Sequence, residues 1–333
     1  MVREEYADPL PGGQERENPG PDRGPRATRA SFCGSVCLGV ISVFLTACAL
    51  GEDPPPPPPE ALLDFLESTG SQAVPVGPGL AYYSLRNLSE PWAVHLLRVE
   101  TSRCDLGFEV LEAPVPEGEG SGRSLVTELL ASQGEGTLAA VNGDFFTPEG
   151  LPVGTEVAGG KIRRVRSRPA FAWHPEGDPW VGMPELVGDS LLVLGWEVLR
   201  FQSDGETEVI GGFPLLLRDG VRVGDLEVAE RPSFSAQRHP RTAVGFDMDE
   251  GLSWVVVVDG RQPDYSVGMT LPELAALFEA LGVEEAINLD GGGSSVMVVD
   301  GAKVSRPSDA AGERPVVNAL GVRRDSAFCR SGL

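Results

Sequence analysis

Ala286-Ile287-Asn288-Leu289-Asp290-Gly291-Gly292-Gly293-Ser294-Ser295-Val296-Met297-Val298-Val299 is the stretch around which the rest of the chain falls into place. A short apolar run ends in Asn-Leu-Asp, three glycines and two serines follow, and a second apolar run leaves. The pattern predicts a strand, a turn nearly free of side chains, and another strand. Glycine runs weaken strand interiors. They suit places where the backbone needs unusual dihedrals or must let a ligand come close. One loop thus gathers a carboxylate, an amide, two hydroxyls and several backbone N–H groups.

An isolated Asp-Gly-Gly would read as a capped hairpin turn, but its surroundings say more. Trp254 to Val258 is a continuous β-branched run of the kind buried on both faces of a sheet, and it ends at Asp259-Gly260-Arg261. A helix is predicted from Leu271. Thr270 and Glu273 have capping-box spacing, Pro272 sits in the first turn, and Leu271, Leu274, Leu277, Phe278 and Leu281 form one apolar stripe that Gly282 ends. If the strands on either side are parallel neighbours, Asp259 and Asp290 lie at carboxyl ends of one sheet, the edge where open α/β sheets collect ligands. Val296–Val299 and Ala302–Val304 read as a hairpin about Asp300-Gly301. Other glycine-rich chemistries fail on context. A phosphate-binding P-loop needs Lys and a following helix, a dinucleotide fingerprint needs the helix, and the nucleophile elbow needs a second flanking Gly.

The same reading extends upstream. Trp92–Val99 and Leu106–Leu111 are apolar runs, and Leu125–Leu130 behind Ser124 reads as a short helix. Leu138–Val141 is a strand that delivers Asn142-Gly143-Asp144-Phe145-Phe146. Asn-Gly is a turn dipeptide, so this is either a hairpin corner over two core phenylalanines or a pocket rim. Arg241 opens a strand, Thr242–Phe246. Its planar fork would suit a phosphate. Lys161, Arg163, Arg164, Arg166 and Arg168 form the one basic run, read as a solvated face or as an attractor for an anionic polymer. Gly188-Asp189-Ser190-Leu191 spells a lipase motif without the later His that chemistry needs. Three scattered histidines argue against a His-based zinc site.

The net charge of −22 excludes nucleic-acid binding as a role. Residues 1–47 read as a polar, disordered leader followed by the apolar core Ser31–Ala47 of a signal peptide. The core closes on Leu45-Thr46-Ala47-Cys48, which looks like a lipobox with Cys48 lipidated. A plain anchor or a cleaved secretory signal is the alternative. Residues 48–72, with six consecutive prolines, read as a stiff spacer, with one short helical turn at Ala61–Glu67. Residues 73–325 then form a single catalytic domain, α+β or mixed α/β, built on a large twisted mixed β-sheet with few helices. Residues 326–333 are a tail. With Cys33 and Cys37 in the signal, Cys104 and Cys329 remain, as a disulfide or as two buried thiols.

The blocks Val141–Phe146, Arg241–Gly245, Val258–Arg261, Asn288–Ser295 and Arg314–Leu320 resemble, in order, the signature of the phosphodiester glycosidase family. Its lysosomal members remove N-acetylglucosamine from a phosphodiester, and its bacterial relatives are described as exopolysaccharide-associated. The resemblance implies hydrolysis of a sugar-1-phosphodiester on a cell-envelope or extracellular glycan. Breaking the C1–O bond would release the sugar and a phosphomonoester. Because phosphate is a weak base, such a site needs a carboxylate for the anomeric carbon and fixed positive charge more than it needs a strong general acid. On this reading Asp290 is the first carboxylate, with Asp259 and Asp144 as alternates. Arg241 is the first phosphate ligand, followed by Arg261 and Arg314. Gly291, Gly292 and Gly293 supply N–H groups in the manner of an anion nest. Asn142, Gly143, Thr242, Asn288, Ser294 and Asn318 complete the substrate-binding set. The resemblance names no definite cofactor, and the three aspartates could hold a divalent cation such as calcium through oxygen ligands. The chain would sit in a bacterial cell envelope, lipid-anchored and facing the periplasm or exterior, or else be secreted. The competing reading is a non-catalytic envelope lipoprotein that binds glycan through the same pocket.

Overall fold

The computed structural model describes residues 54–68, 71–118, 120–187, 190–193, 206–224, 226 and 232–329. The leader, the signal core, Cys48 and the Gly188-Asp189 half of the lipase-like motif lie outside them. All described residues fall in the compact unit Glu52–Leu333.

An eight-stranded sheet forms the centre. Its order is Ser71–Gly77, Leu80–Asn87, Trp92–Val99, Leu252–Val258, Arg241–Asp247, Glu285–Asn288, Leu215–Arg218 and Val221–Arg222. A second sheet holds Ala302–Lys303, Met297–Val299, Thr137–Asn142, Asn318–Arg324 and Leu106–Glu112. A third holds Lys161–Arg164, Glu156–Ala158, Glu208–Gly211, Ala170–Trp173 and Trp180–Gly182. The domain is β-rich with few helices, as expected. The strands Leu252–Val258 and Glu285–Asn288 run in the same direction but are not neighbours. Arg241–Asp247 lies between them, antiparallel to both. The helical crossover between the two therefore skips one position, and Asp259, Arg241 and Asp290 all come to one edge of the central sheet.

Alternation along the central strands divides the core into two faces. Trp254, Val256, Val258, Ala243 and Ala286 face the helix Leu271–Leu281, whose Leu271, Leu274, Leu277 and Phe278 are fully buried. Val255, Val257, Val244, Phe246, Ile287 and Leu289 face the second and third sheets, where they meet Phe108, Val141, Phe171 and Leu320. The helix has the caps its sequence calls for. The Thr270 hydroxyl accepts from the Glu273 N–H, the Glu273 carboxylate accepts from the Thr270 N–H, and Gly282 closes it at φ 77°. The upstream helix begins one residue later than predicted, at Val126. The Ser124 hydroxyl donates to Glu128 instead of capping the backbone.

The proline-rich segment is part of the fold, so the boundary expected at residue 73 moves upstream. Leu62 and Leu66, within and just after the helix Glu60–Phe65, are fully buried in the core that packs on Leu271–Leu281. Phe65 stacks on Trp92 with centroids 5.7 Å apart, and the Tyr83 hydroxyl donates to Pro56 O at 2.7 Å. A segment able to bury two leucines gains more by docking than by staying a spacer. At the other end, Cys104 and Cys329 are joined by a disulfide, with Cα atoms 4.7 Å apart.

Candidate functional site

The glycine-rich loop leaves Glu285–Asn288 at the shared edge and makes one 3-10 turn, Gly292–Ser294. Gly292 takes φ +66°, a conformation that disfavours a side chain. A Cβ on Gly293 would lie 2.1 Å from the Arg314 guanidinium and 2.4 Å from Asp309. The glycines therefore let Arg314 lie against the loop backbone. Arg314 is itself held by Asp309 at 2.7 Å. Arg261 lies on the other side of Gly292, and its Nη2 donates to His239 Nδ1 at 3.3 Å.

Asn142 fastens this loop to both sheets. Its Nδ2 donates to Asp290 O, and its Oδ1 accepts from the Thr242 hydroxyl and the Val296 N–H. Next to it, Gly143 O accepts from Asp290 N at 3.0 Å, and Gly143 N donates to Asn318 O. Asn318 then accepts from Asp144 N at 2.8 Å and donates to the Glu156 carboxylate. Blocks far apart in sequence are thus gathered by short, mostly buried hydrogen bonds: Asn142, Gly143, Asp144, Thr242, Asn288, Asp290, Gly291, Gly292, Gly293, Ser294 and Asn318, with Arg261 and Arg314 at the rim.

Two carboxyls here are abnormal. Asp290 remains partly open to solvent, yet burial of its carboxyl raises the pKa to about 6. Ser294, the Gly291 N–H, Arg314 and Arg261 counteract part of that rise. Asp144 is 1% exposed, and burial lifts it to about 7. Its Oδ2 accepts from Gly154 N at 2.6 Å, while Oδ1 is buried with no hydrogen-bond partner. A neutral carboxyl tolerates that position better than a charged one. Asn288 is likewise buried with Oδ1 unpartnered, its Nδ2 donating to Phe213 O and Leu289 O.

Four expectations need correction. Arg241 does not present its fork to the cleft. It is 2% exposed, with Nε on Met269 O and Nη2 on Phe234 O and Gln237 O. It ties two loops together because its side chain falls on the helix face of the sheet. Asp259 shares the edge with Asp290 but turns away from it. Its carboxylate accepts from His95 Nε2 at 3.0 Å, Tyr265 OH at 3.1 Å and Arg306 N at 2.9 Å. The glycine N–H groups are only partly free, since Gly291 N–H serves the Asp290 carboxylate and Gly292 N–H serves Pro240 O. Nor do Asp144, Asp259 and Asp290 assemble a cation site. Among the described residues no group of three or more His, Cys, Asp or Glu is placed to hold a metal.

The structure adds Phe213 and Phe234 to Phe145 and Arg168, which the sequence had already drawn toward a pocket rim and an anionic ligand. Phe145, Phe213 and Phe234 form a half-buried aromatic cluster, with Phe234 6.0 Å from Phe145 and 6.4 Å from Phe213. The Arg168 guanidinium lies 5.1 Å from the Phe213 ring and helps to hold Asp144 down. Only Arg168 of the basic run reaches this place. The strand ends at Arg164, and Arg163 pairs with Glu112.

Comparison with known proteins agrees with this geometry. The phosphodiester glycosidase family matches residues 135–323. The bovine (Bos taurus) N-acetylglucosamine-1-phosphodiester alpha-N-acetylglucosaminidase is 33% identical over 217 residues, 61% of this chain and 38% of its own. Its human (Homo sapiens) counterpart is 30% identical over 254 residues, 71% of this chain and 46% of its own. The chain thus spans less than half the length of these curated relatives. The zebrafish enzyme's catalytic domain, described as auto-inhibited by its pro-peptide, superposes with a TM-score of 0.54 at 24% identity. The match covers 77% of this chain and 82% of that one. A hypothetical protein from Synechocystis gives 0.56 at 17% identity, over 77% of this chain and 64% of its own. Both likenesses describe the fold.

Proposed function

This chain belongs to the phosphodiester glycosidase family, and we propose on that premise that it hydrolyses the bond between a sugar's anomeric carbon and a phosphodiester, on an envelope or extracellular glycan. The observation that carries the reading is the Asp290 carboxyl. It is partly open to solvent, raised by burial to about 6, and set in a glycine loop with Arg261 and Arg314 beside it. At neutral pH Asp290 is ionised and serves the anomeric carbon, by stabilising positive charge there or by aligning the attacking water. Water adds its oxygen to C1 and gives up one proton, to Asp290 where that carboxylate aligns it or else to solvent. The C1–O bond breaks with its electron pair going to the phosphate, which leaves as a monoester. Arg261 and Arg314 take the charge that develops on it. Asp144, neutral for part of the population at pH 7, stands closed off behind the loop and acts on the site only through the backbone it holds. Arg241 acts only by holding the loops in place.

Incubating the purified chain with an N-acetylglucosamine-1-phosphodiester, and assaying free reducing sugar with phosphomonoester, tests this. Release that disappears in Asp290→Asn supports it. Binding of the substrate without release would leave a glycan-binding module. The lipobox reading of Cys48 is proposed alongside. Cys48→Ser should abolish labelling by a fatty-acid probe, and undiminished labelling would remove the anchor from the account.

A further inference from the structure

A second polar cavity, of about 700 Å3, shares no lining residue with the candidate site. Gln72, Tyr82, Ser84, Arg86, His95 and Tyr265 are among its walls. Asp259 lies behind them, 1% exposed, and its donors fix the orientation of everything in front of it. His95 directs Nε2–H to Asp259, so its Nδ1 accepts the Tyr82 hydroxyl proton at 2.7 Å. The Tyr265 hydroxyl proton also goes to Asp259. Both phenol protons are thus turned into the wall; the Tyr265 oxygen is left as an acceptor, and the Tyr82 oxygen keeps one lone pair beside the Ser84 side chain.

Positive charge stands at the same place. The Arg86 guanidinium, in the cavity wall, lies 3.9 Å from the Tyr265 ring centroid, and Arg306, just outside that wall, lies 4.9 Å from it. Arg86 donates to Tyr265 O at 3.1 Å. Among the described residues neither arginine is paired with a carboxylate. Other arginines are tied down, Arg222 to Glu279 and Arg238 to Glu273. The carboxylate that stands behind this wall, Asp259, is already saturated with donors. Guanidinium groups held flat on an aromatic ring keep their N–H edges available for an external oxyanion.

We propose that this cavity is a second binding site, for an acidic sugar. A carboxylate or phosphate would lie on Arg86, with Arg306 adding charge from beside the Tyr265 ring, and ring hydroxyls would donate to the Tyr82 and Tyr265 oxygens. A neutral sugar lacks the anion, and a bare anion lacks the hydroxyl donors. The volume suits a ligand of one or two rings. The site does not depend on the hydrolytic reading of the glycine loop.

Titration calorimetry on the full chain at low salt tests it, with glucuronate, glucose 6-phosphate and glucose as probes. The expected result is millimolar or tighter binding of at least one acid, with glucose weaker by about tenfold or more. The two acids decide between carboxylate and phosphate. Arg86 is exposed, so Arg86→Met should fold and bind about tenfold less tightly, and Arg306→Met provides the same test independently. Asp290→Asn should leave the affinity unchanged. Failure of both acids to bind, equal binding of glucose, full affinity in both arginine variants, or loss of binding in Asp290→Asn would each overturn the proposal.

Discussion

Asp144 and Asp290 owe their raised pKa values first to burial, yet only Asp290 keeps an opening to solvent. That difference assigns their work and predicts a pH profile. Turnover should rise as Asp290 ionises through about pH 6 and fall as Asp144 loses its proton through about pH 7. Asp290→Asn should cost on the order of 100-fold or more in kcat. Asp144→Asn should remove the alkaline limb, and an unchanged bell in that variant would show that Asp144 has no influence on the site. Arg241→Lys should act on stability instead. A lysine cannot hold Met269 O, Phe234 O and Gln237 O together, so the denaturant midpoint should fall by the equivalent of about 1–3 kcal/mol with KM unchanged. A large rise in KM would return Arg241 to the substrate. Asp290 was legible in the sequence because its neighbours in the chain are also its neighbours in space. Arg241 and Asp259 were not, since sequence gives a residue's charge and not the face it turns to, and Asp259's partner His95 is 164 residues away.

At the scale of elements, the helix Leu271–Leu281 was readable almost to the residue because its signals are local: a cap, a stripe and a closing glycine. Thr270→Ala should lower stability by about 0.5–2 kcal/mol, measured by urea unfolding. No loss would mean that Glu273, also bound by Arg238, secures the helix start alone. Strand order was harder to read. The capped helix told of two strands with one direction, but nothing within residues 252–301 told of Arg241–Asp247 between them. Arg168 was read only as one member of a basic run, and which member would reach the site was hidden for a similar reason. It reaches the aromatic cluster by way of the third sheet, whose short strands have little sequence periodicity. The docked segment was misread because a proline run looks the same whether free or seated. Leu62→Ala should therefore destabilise the whole domain by about 2–5 kcal/mol, which a mere spacer would not do.

Across the whole molecule, buried acids make stability depend on pH. Glu208, held between Val110 N–H and Gly159 N–H, is raised by burial to about 8, and Asp144 to about 7. Both exceed their unfolded values of about 4. Their contribution is therefore complete below about pH 4 and is lost as pH rises through about 8. Tm should fall across that window, and Glu208→Gln should flatten the fall. An equal slope in that variant would move the cause elsewhere. The disulfide closes a span of 225 residues, so reducing it should lower stability by up to roughly 4–5 kcal/mol in the chain-entropy account. The placement of Asn318–Arg324 has another consequence. This strand, late in the chain, fills the gap between Leu106–Glu112 and Thr137–Asn142. A growing polypeptide must therefore carry both earlier strands with open edges until residue 324 has been made. Asn318, which positions Gly143 and Asp144, arrives with the same strand. The candidate site thus cannot assemble before this strand has been made, and until then the nascent chain stays inert but exposed to edge-to-edge association.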